Sequence, residues 1–349
     1  MADPQLGVHP GTEHHAAALQ HIVRQQGEYT PAGGVLPHGM VGVPCGKDRR
    51  LRMGLPLAQH RADVGAMAAL DAGVRHRGVE EALPVGQHMD GIFGAALGAG
   101  GAAGANYAEI ADVTLIGGAR VRANDQFAGG IAGSNRAGTN GQIGTITGCT
   151  NTAGQTGNNY TVYATNGNAG GIAGSNESGA QIVDSVVGGV KIGVAKCDAA
   201  GIAANNFGII QGGTVGSCDI TFAGESIGAV TAINNEGATI SGVTLSKNAA
   251  IAFHGPATNV GGIAGKTISR QLVPGETSNY RLIVEECSST GTISIVGPSK
   301  VRASGIVAQT QGAYRISGCT FSGAIESTDA TKRDVVIGGI MAMADKECV

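Results

Sequence analysis

The 349-residue sequence has no tryptophan, and Phe, Trp and Tyr together make up only 3% of it. That excludes a globular core built on large aromatic side chains. No run of 18 apolar residues occurs, so no transmembrane helix is expected; the uncharged stretch from Gly91 to Ala105 is Gly and Ala and too short to span. No Cys-x-x-Cys pair occurs, and seven irregularly spaced cysteines, an odd number, give neither a disulfide framework nor a zinc site. No glycine loop follows a strand and opens a helix, and the Gly-Gly-x-Gly-x-Asp pattern of calcium repeats is missing, so no cofactor or metal is expected. A net charge of −3 gives no electrostatic reason to expect nucleic acid or an anionic membrane as partner.

The first ninety residues lack something else: no Ser and no Asn occurs before Asn106. Eight of the nine histidines lie between His9 and His88, and seven of the ten prolines at or before Pro84. Short helices are expected over Glu13–Gln26, capped by Thr12 and ended by Gly27, and around Leu57–Leu70. Neither has an apolar stripe. His14 and His21 would share a helix face but stand two turns, about 11 Å, apart, so His14, His15 and His21 read as a surface cluster and not a metal site. The composition is also what a shifted reading frame through GC-rich DNA gives. Residues 1–90 are expected to be a non-repetitive, poorly ordered or partly helical segment. The opening Met-Ala-Asp-Pro lacks the basic and apolar regions of a secretory signal.

What is present, across residues 91–349, is a repeat. The heptad Gly129-Gly130-Ile131-Ala132-Gly133-Ser134-Asn135 recurs at Gly170–Asn176, and weaker copies are centred on Ala102, Ile202, Val230, Ile263, Ile306 and Ile340. These anchors stand 28 to 43 residues apart. Each unit continues with a short strand in which an apolar residue is followed three positions on by Cys, Ser or Val: Ile146 with Cys149, Ile182 with Ser185, Val215 with Cys218, Ile240 with Val243, Val284 with Cys287, Ile316 with Cys319. A third strand follows, such as Val190–Val194, Ile220–Phe222, Ile251–Phe253 or Ile293–Val296. Three short strands with glycine-rich corners in about 30 residues make one coil of a parallel β-helix. The expected fold is therefore all-β, a right-handed parallel β-solenoid of about eight short three-strand coils. It would be about 35–40 Å long at about 4.8 Å per coil.

Two columns follow from the spacing. Asn106, Asn135, Asn176, Asn206 and Asn234 each stand four residues after an anchor, and are succeeded by Thr267, Thr310 and Ala344. Asn tolerates a left-handed corner, and stacked amides can bond one another, so a structural ladder is expected. Cys149, Cys218, Cys287 and Cys319 are expected to form a second column of buried free thiols, because in-register parallel neighbours rarely offer the dihedral a disulfide wants.

The run Gly-Gly-Ile-Ala-Gly-x-Asn, followed by Gly-x-Ile-x-x-Cys, resembles the GLUG-motif repeats of bacterial surface and secreted proteins over residues 98–349. Ile143–Ile146–Gly148–Cys149–Thr150 and Ile316–Ser317–Gly318–Cys319–Thr320 are the clearest second-strand matches. The resemblance implies a structural or adhesive module at the cell surface or outside the cell, presenting an extended face to a host or cell-surface protein or glycan. The rival expectation is a polysaccharide lyase or glycosidase. It would draw on Asp184, Asp198, Asp219 and Glu225 with Lys191 and Lys196, but their spacing suggests no common cluster, and His254 is the single histidine of the repeats. The last unit stops just after Ile340, so a continuation of the solenoid or an end-to-end partner is expected to cover its edge.

Overall fold

The computed structural model describes residues 98–138, 141–154, 159–221, 223–247, 249–256, 258–270, 282–296, 300–327 and 334–345. The segment 1–90, with its expected helices and its histidine cluster, lies outside the described residues, as does Phe222.

Among the described residues every strand pairs parallel with its counterparts in the neighbouring coils, giving five sheets of 8, 8, 7, 7 and 7 strands in order along the coil. In the first coil the strands are Ala99–Gly100 (sheet I), Ala103–Asn106 (II), Glu109–Ala111 (III), Thr114–Leu115 (IV) and Val121–Ala123 (V). The chain is a parallel β-solenoid. Its third expected strand is present as one piece, for example Val190–Val194, but each of the first two is split by a corner. A glycine-rich bend at the anchor separates I from II. A left-handed residue separates III from IV: Asp112, Gly148, Asp184, Gly212, Gly242, Glu286 and Gly318 all have φ between 48° and 65°. Five strands per coil result where periodicity alone suggests three.

The anchors are held from both sides. Ile131, Ile172, Ile202, Val230, Ile263 and Ile306 are buried. Each anchor carbonyl accepts two bonds from the coil before: the N–H groups of Ile131 and Ala132 both donate to the oxygen of Ile172, at 2.9 and 3.0 Å. The second glycine of the heptad is needed for this close approach. A Cβ on Gly171 would lie 2.1 Å from the oxygen of Gly201 and 2.8 Å from Cγ1 of Val187.

Inside, side chains stack rung on rung. Ile146, Ile182, Ile210, Ile240 and Val284 form the buried column of sheet III, and Val162, Ile192, Ile220, Phe253 and Ile295 that of sheet V. Each such side chain contributes about 1.5–3 kcal/mol by leaving water. Strands of two to five residues offer one or two inward positions, which is why small and β-branched residues suffice. The long repeats differ from the short ones outside these strands, for instance between Asn135 and Thr145, so insertion leaves the ladders in register.

The registration corrects one sequence expectation. Ile210, not Val215, is the partner of Ile182 and Ile240, so the residue three positions on in that coil is Gly213. Val215 pairs with Val187 and Leu245 in sheet IV, and Cys218 pairs with Val190 and Ile251 in sheet V. Cys218 is therefore outside the cysteine column. Its Val-x-x-Cys spacing imitates the motif one sheet late, because the repeat in that coil has Gly where the others carry a side chain.

Candidate binding face

The asparagines stand at or beside the ends of the sheet II strands and not, as expected, in a left-handed corner, and they share one pattern of bonds. Nδ2 of Asn106 donates to Oδ1 of Asn135 at 2.8 Å, Asn135 to Asn176 at 2.9 Å, Asn176 to Asn206 at 2.8 Å and Asn206 to Asn234 at 2.7 Å. Each of these four amides also donates to a backbone oxygen of the next coil, of Thr145, Gln181, Ile209 and Thr239 in turn. The five residues are buried. The chain of amides stops at Asn234, whose Nδ2 has no hydrogen-bond partner among the described residues; nor has Oγ1 of Thr267 beneath it. Fully occupied with one another, the amides from Asn106 to Asn206 have nothing left for a ligand.

The remaining cysteines of the column, Cys149, Cys287 and Cys319, follow the sheet III residues Ile146, Val284 and Ile316 on their coils, and all are free thiols. Burial pushes Cys149 up to about 11 and Cys218 up to about 12. The bond it shares with Cys319, and then burial, push Cys287 up as well. Those protonated thiols are poor nucleophiles, but Cys319 departs from the buried column expected: it is half-buried, and its hydrogen bond with Cys287 lowers it to about 7.

The acidic residues suggested by the sequence lie at three places: Asp184, Asp198 with Glu225, and Asp219. Asp184 occupies a left-handed corner, and its Oδ1 lies 2.0 Å from where a Cβ on Gly212 would sit; the acidic side chain covers the glycine of the next coil. Asp198 is buried before sheet I and accepts the N–H of Ser226 at 3.2 Å. Burial pushes it up to about 6. Glu225 and Lys196 are exposed.

Asp198 and Glu225 adjoin, the Glu225 backbone N–H bonding the Asp198 carboxylate and the Glu225 charge raising it further, while Lys191 and Asp219 meet on the outer face of sheet V. Nζ of Lys191 is 3.6 Å from Oδ2 of Asp219. Nε2 of His254 is 3.1 Å from Oδ1 of Asp219, an ion-pair distance, and that oxygen has no hydrogen-bond partner among the described residues. Registration places Arg122, Tyr163, Gly193, Thr221 and His254 in one outward column, with Lys191 and Asp219 in the next. Tyr160 and Tyr163 have ring centroids 5.1 Å apart. Arg122 lies over Tyr163 at 5.8 Å and Lys191 over Tyr160 at 5.3 Å. Tyr160 leans over Gly193, where a Cβ would come within 2.4 Å of its ring.

The result is a half-exposed aromatic platform, cations at two of its edges, and an Asp–His pair further along the axis. Two of the six tyrosines are gathered here. By contrast, the outward column of sheet IV, Thr114, Thr150, Val186, Thr214, Thr244, Ser288 and Thr320, holds no charge and no ring.

Sequence reasoning missed Arg122, Tyr160 and Tyr163, and left His254 without a role. The usable signal was alternation: aligning Val190–Val194 with Cys218–Thr221 and Ala250–His254 sends Lys191, Asp219 and His254 to the same side. Among the described residues no group of three or more His, Cys, Asp or Glu could hold a metal ion, and no helix is long and apolar enough to cross a membrane. Comparison of the chain with family models, curated proteins and solved structures finds no match.

Proposed function

We propose that the chain is a structural and adhesive β-solenoid module of a cell-surface or secreted protein, and that it contacts a glycan through the outer face of sheet V. The observation that carries this reading is the half-exposed tyrosine pair, its rings tilted 36° to each other, at the outer face of sheet V beside Arg122 and Lys191. Aromatic rings present an apolar face to the C–H groups of a sugar and a hydroxyl to its rim. Tyr163 is held in the strand Val162–Ala164, and Tyr160, just before it, leans over Gly193. The GLUG-like character of the repeats supports a location at the surface or outside the cell. Titration calorimetry against a panel of soluble polysaccharides tests the reading. Binding by the intact chain, weakened by Tyr163→Ala with the thermal melt unchanged, is the expected result. Undiminished binding by that variant would move the contact elsewhere.

The polysaccharide-processing alternative has its own observation, the Lys191–Asp219–His254 cluster. Glycosidases set two carboxyl groups about 5–5.5 Å or about 6.5–9.5 Å apart. The next carboxylate in the column of Asp219 is Glu326, three rungs away, about 14 Å at about 4.8 Å per rung. Turnover at Asp219 is therefore expected to be absent. New reducing ends or unsaturated products, lost in Asp219→Asn, would establish the enzyme instead.

A further inference from the structure

We infer that the ligand of the sheet V face is an acidic polysaccharide, one that carries carboxylate or sulfate groups on its pyranose rings, and that Arg122 is the residue that reads the anion. The inference rests on the glycan reading above and adds its charge. Arg122 has no carboxylate partner among the described residues. The nearby Asp125 instead accepts a bond from Nδ2 of Asn166 at 3.2 Å. The guanidinium lies over the Tyr163 ring, 5.8 Å from its centroid, and has no hydrogen-bond or ion-pair partner among the described residues. An Arg fork so placed matches a carboxylate or sulfate through two parallel bonds.

At the opposite edge Lys191 stacks on Tyr160 and shares Asp219 with His254, so part of its charge is already answered. The two edges thus differ: Arg122 is the open anion site and Lys191 the supported one. Their coils are two rungs apart, the first and the third. One rung, about 4.8 Å, is close to the length of one sugar in an extended chain, so a polymer lying along the axis would bring successive rings over the tyrosines and its anionic groups to Arg122. The column of Arg122 contains no acidic residue to repel it, since Tyr163, Gly193, Thr221 and His254 follow. Asp219, in the next column, lies beyond the platform; its side chain is 41% exposed, with Lys191 at 3.6 Å and His254 at 3.1 Å beside it.

The probe is homogalacturonan in two forms, the free acid and the methyl ester, which share every ring and differ in charge. Calorimetry on the full chain at low salt should show the acid bound about fivefold or more tightly than the ester, with the difference shrinking as salt is added. Arg122→Gln should erase the preference for acid over ester; Arg122→Lys should keep part of it. Carrageenan fragments, which carry sulfate and no carboxylate, form the second arm, and binding there that depends on Arg122 assigns sulfate as an accepted anion. Equal binding of acid and ester by the intact chain, or a preference that survives Arg122→Gln, overturns the inference and leaves the glycan reading standing. No binding of either form or of neutral glycans, by chain that melts cooperatively, overturns both.

Discussion

From Asn106 to Asn234 the corner after the anchor carries an amide in every coil; from Thr267 onward it carries a hydroxyl, and at Ala344 nothing polar. Yet the backbone keeps its register through all eight coils. The path of the chain is thus set by the sheet ladders and the anchor carbonyls, and the amides add stability to a corner already formed. The two regions differ in packing as well. Ile131 and Ile172 are buried in the first part, whereas Val336, Ile337 and Ile340 in the last coil are 45%, 59% and 39% exposed.

The largest effect should come from the second glycine of the heptad. Gly171→Val drives side-chain atoms into the oxygen of Gly201 and the Val187 side chain, and is expected to cost about 3 kcal/mol in urea unfolding. The equivalent change at Gly339, where a Cβ meets nothing closer than Phe321 at 3.6 Å, should cost far less. Equal losses would break the comparison between the two regions. At the amide corner, Asn176→Leu removes bonds to Asn135 and Asn206 and leaves their polar atoms buried, a loss of about 1–3 kcal/mol. Asn158, an insertion residue that makes the natural control, lies outside the described residues.

A smaller effect, of opposite sign, is expected at Asp198. Its folded pKa, about 6, lies above the ordinary 3.8, so the folded state holds the proton more tightly and loses stability as pH rises between those values. Asp198→Asn keeps an oxygen for the Ser226 N–H and removes the charge. It should stabilise the chain at pH 7 by on the order of 1–2 kcal/mol and change nothing below about pH 4. A variant that destabilises at pH 7 would show that the carboxylate is answered by its surroundings. Smallest of all, Thr267→Asn should extend the amide chain past Asn234, whose Nδ2 lacks a partner, and raise stability by up to about 1 kcal/mol. A loss on thermal melting would mean that this corner has closed around the smaller side chain.

Much of the fold was legible because a solenoid repeats its physics. The anchors, the Asn column and strands such as Val190–Val194 could be aligned with one another inside a single chain. The split of each expected strand was harder to see, since Asp112, Asp184 and Glu286 take the left-handed corner that glycine marks elsewhere. Cys218 was misplaced because a short motif recurs by accident at a shifted register. The binding face was hidden for a different reason: Arg122, Tyr163, Lys191 and His254 belong to four coils and meet only once the register is known.

The central structural claim is that the amides act as nearest neighbours along the axis, and a double-mutant cycle measures that directly. Asn176→Ala and Asn206→Ala, singly and together, should give a coupling energy of about 0.5–1.5 kcal/mol, because the two side chains share one bond. The same cycle on Asn106 and Asn234, at the two ends of the ladder, should give additive losses. Additive losses for Asn176 and Asn206, or coupling of equal size in the distant pair, would contradict the account.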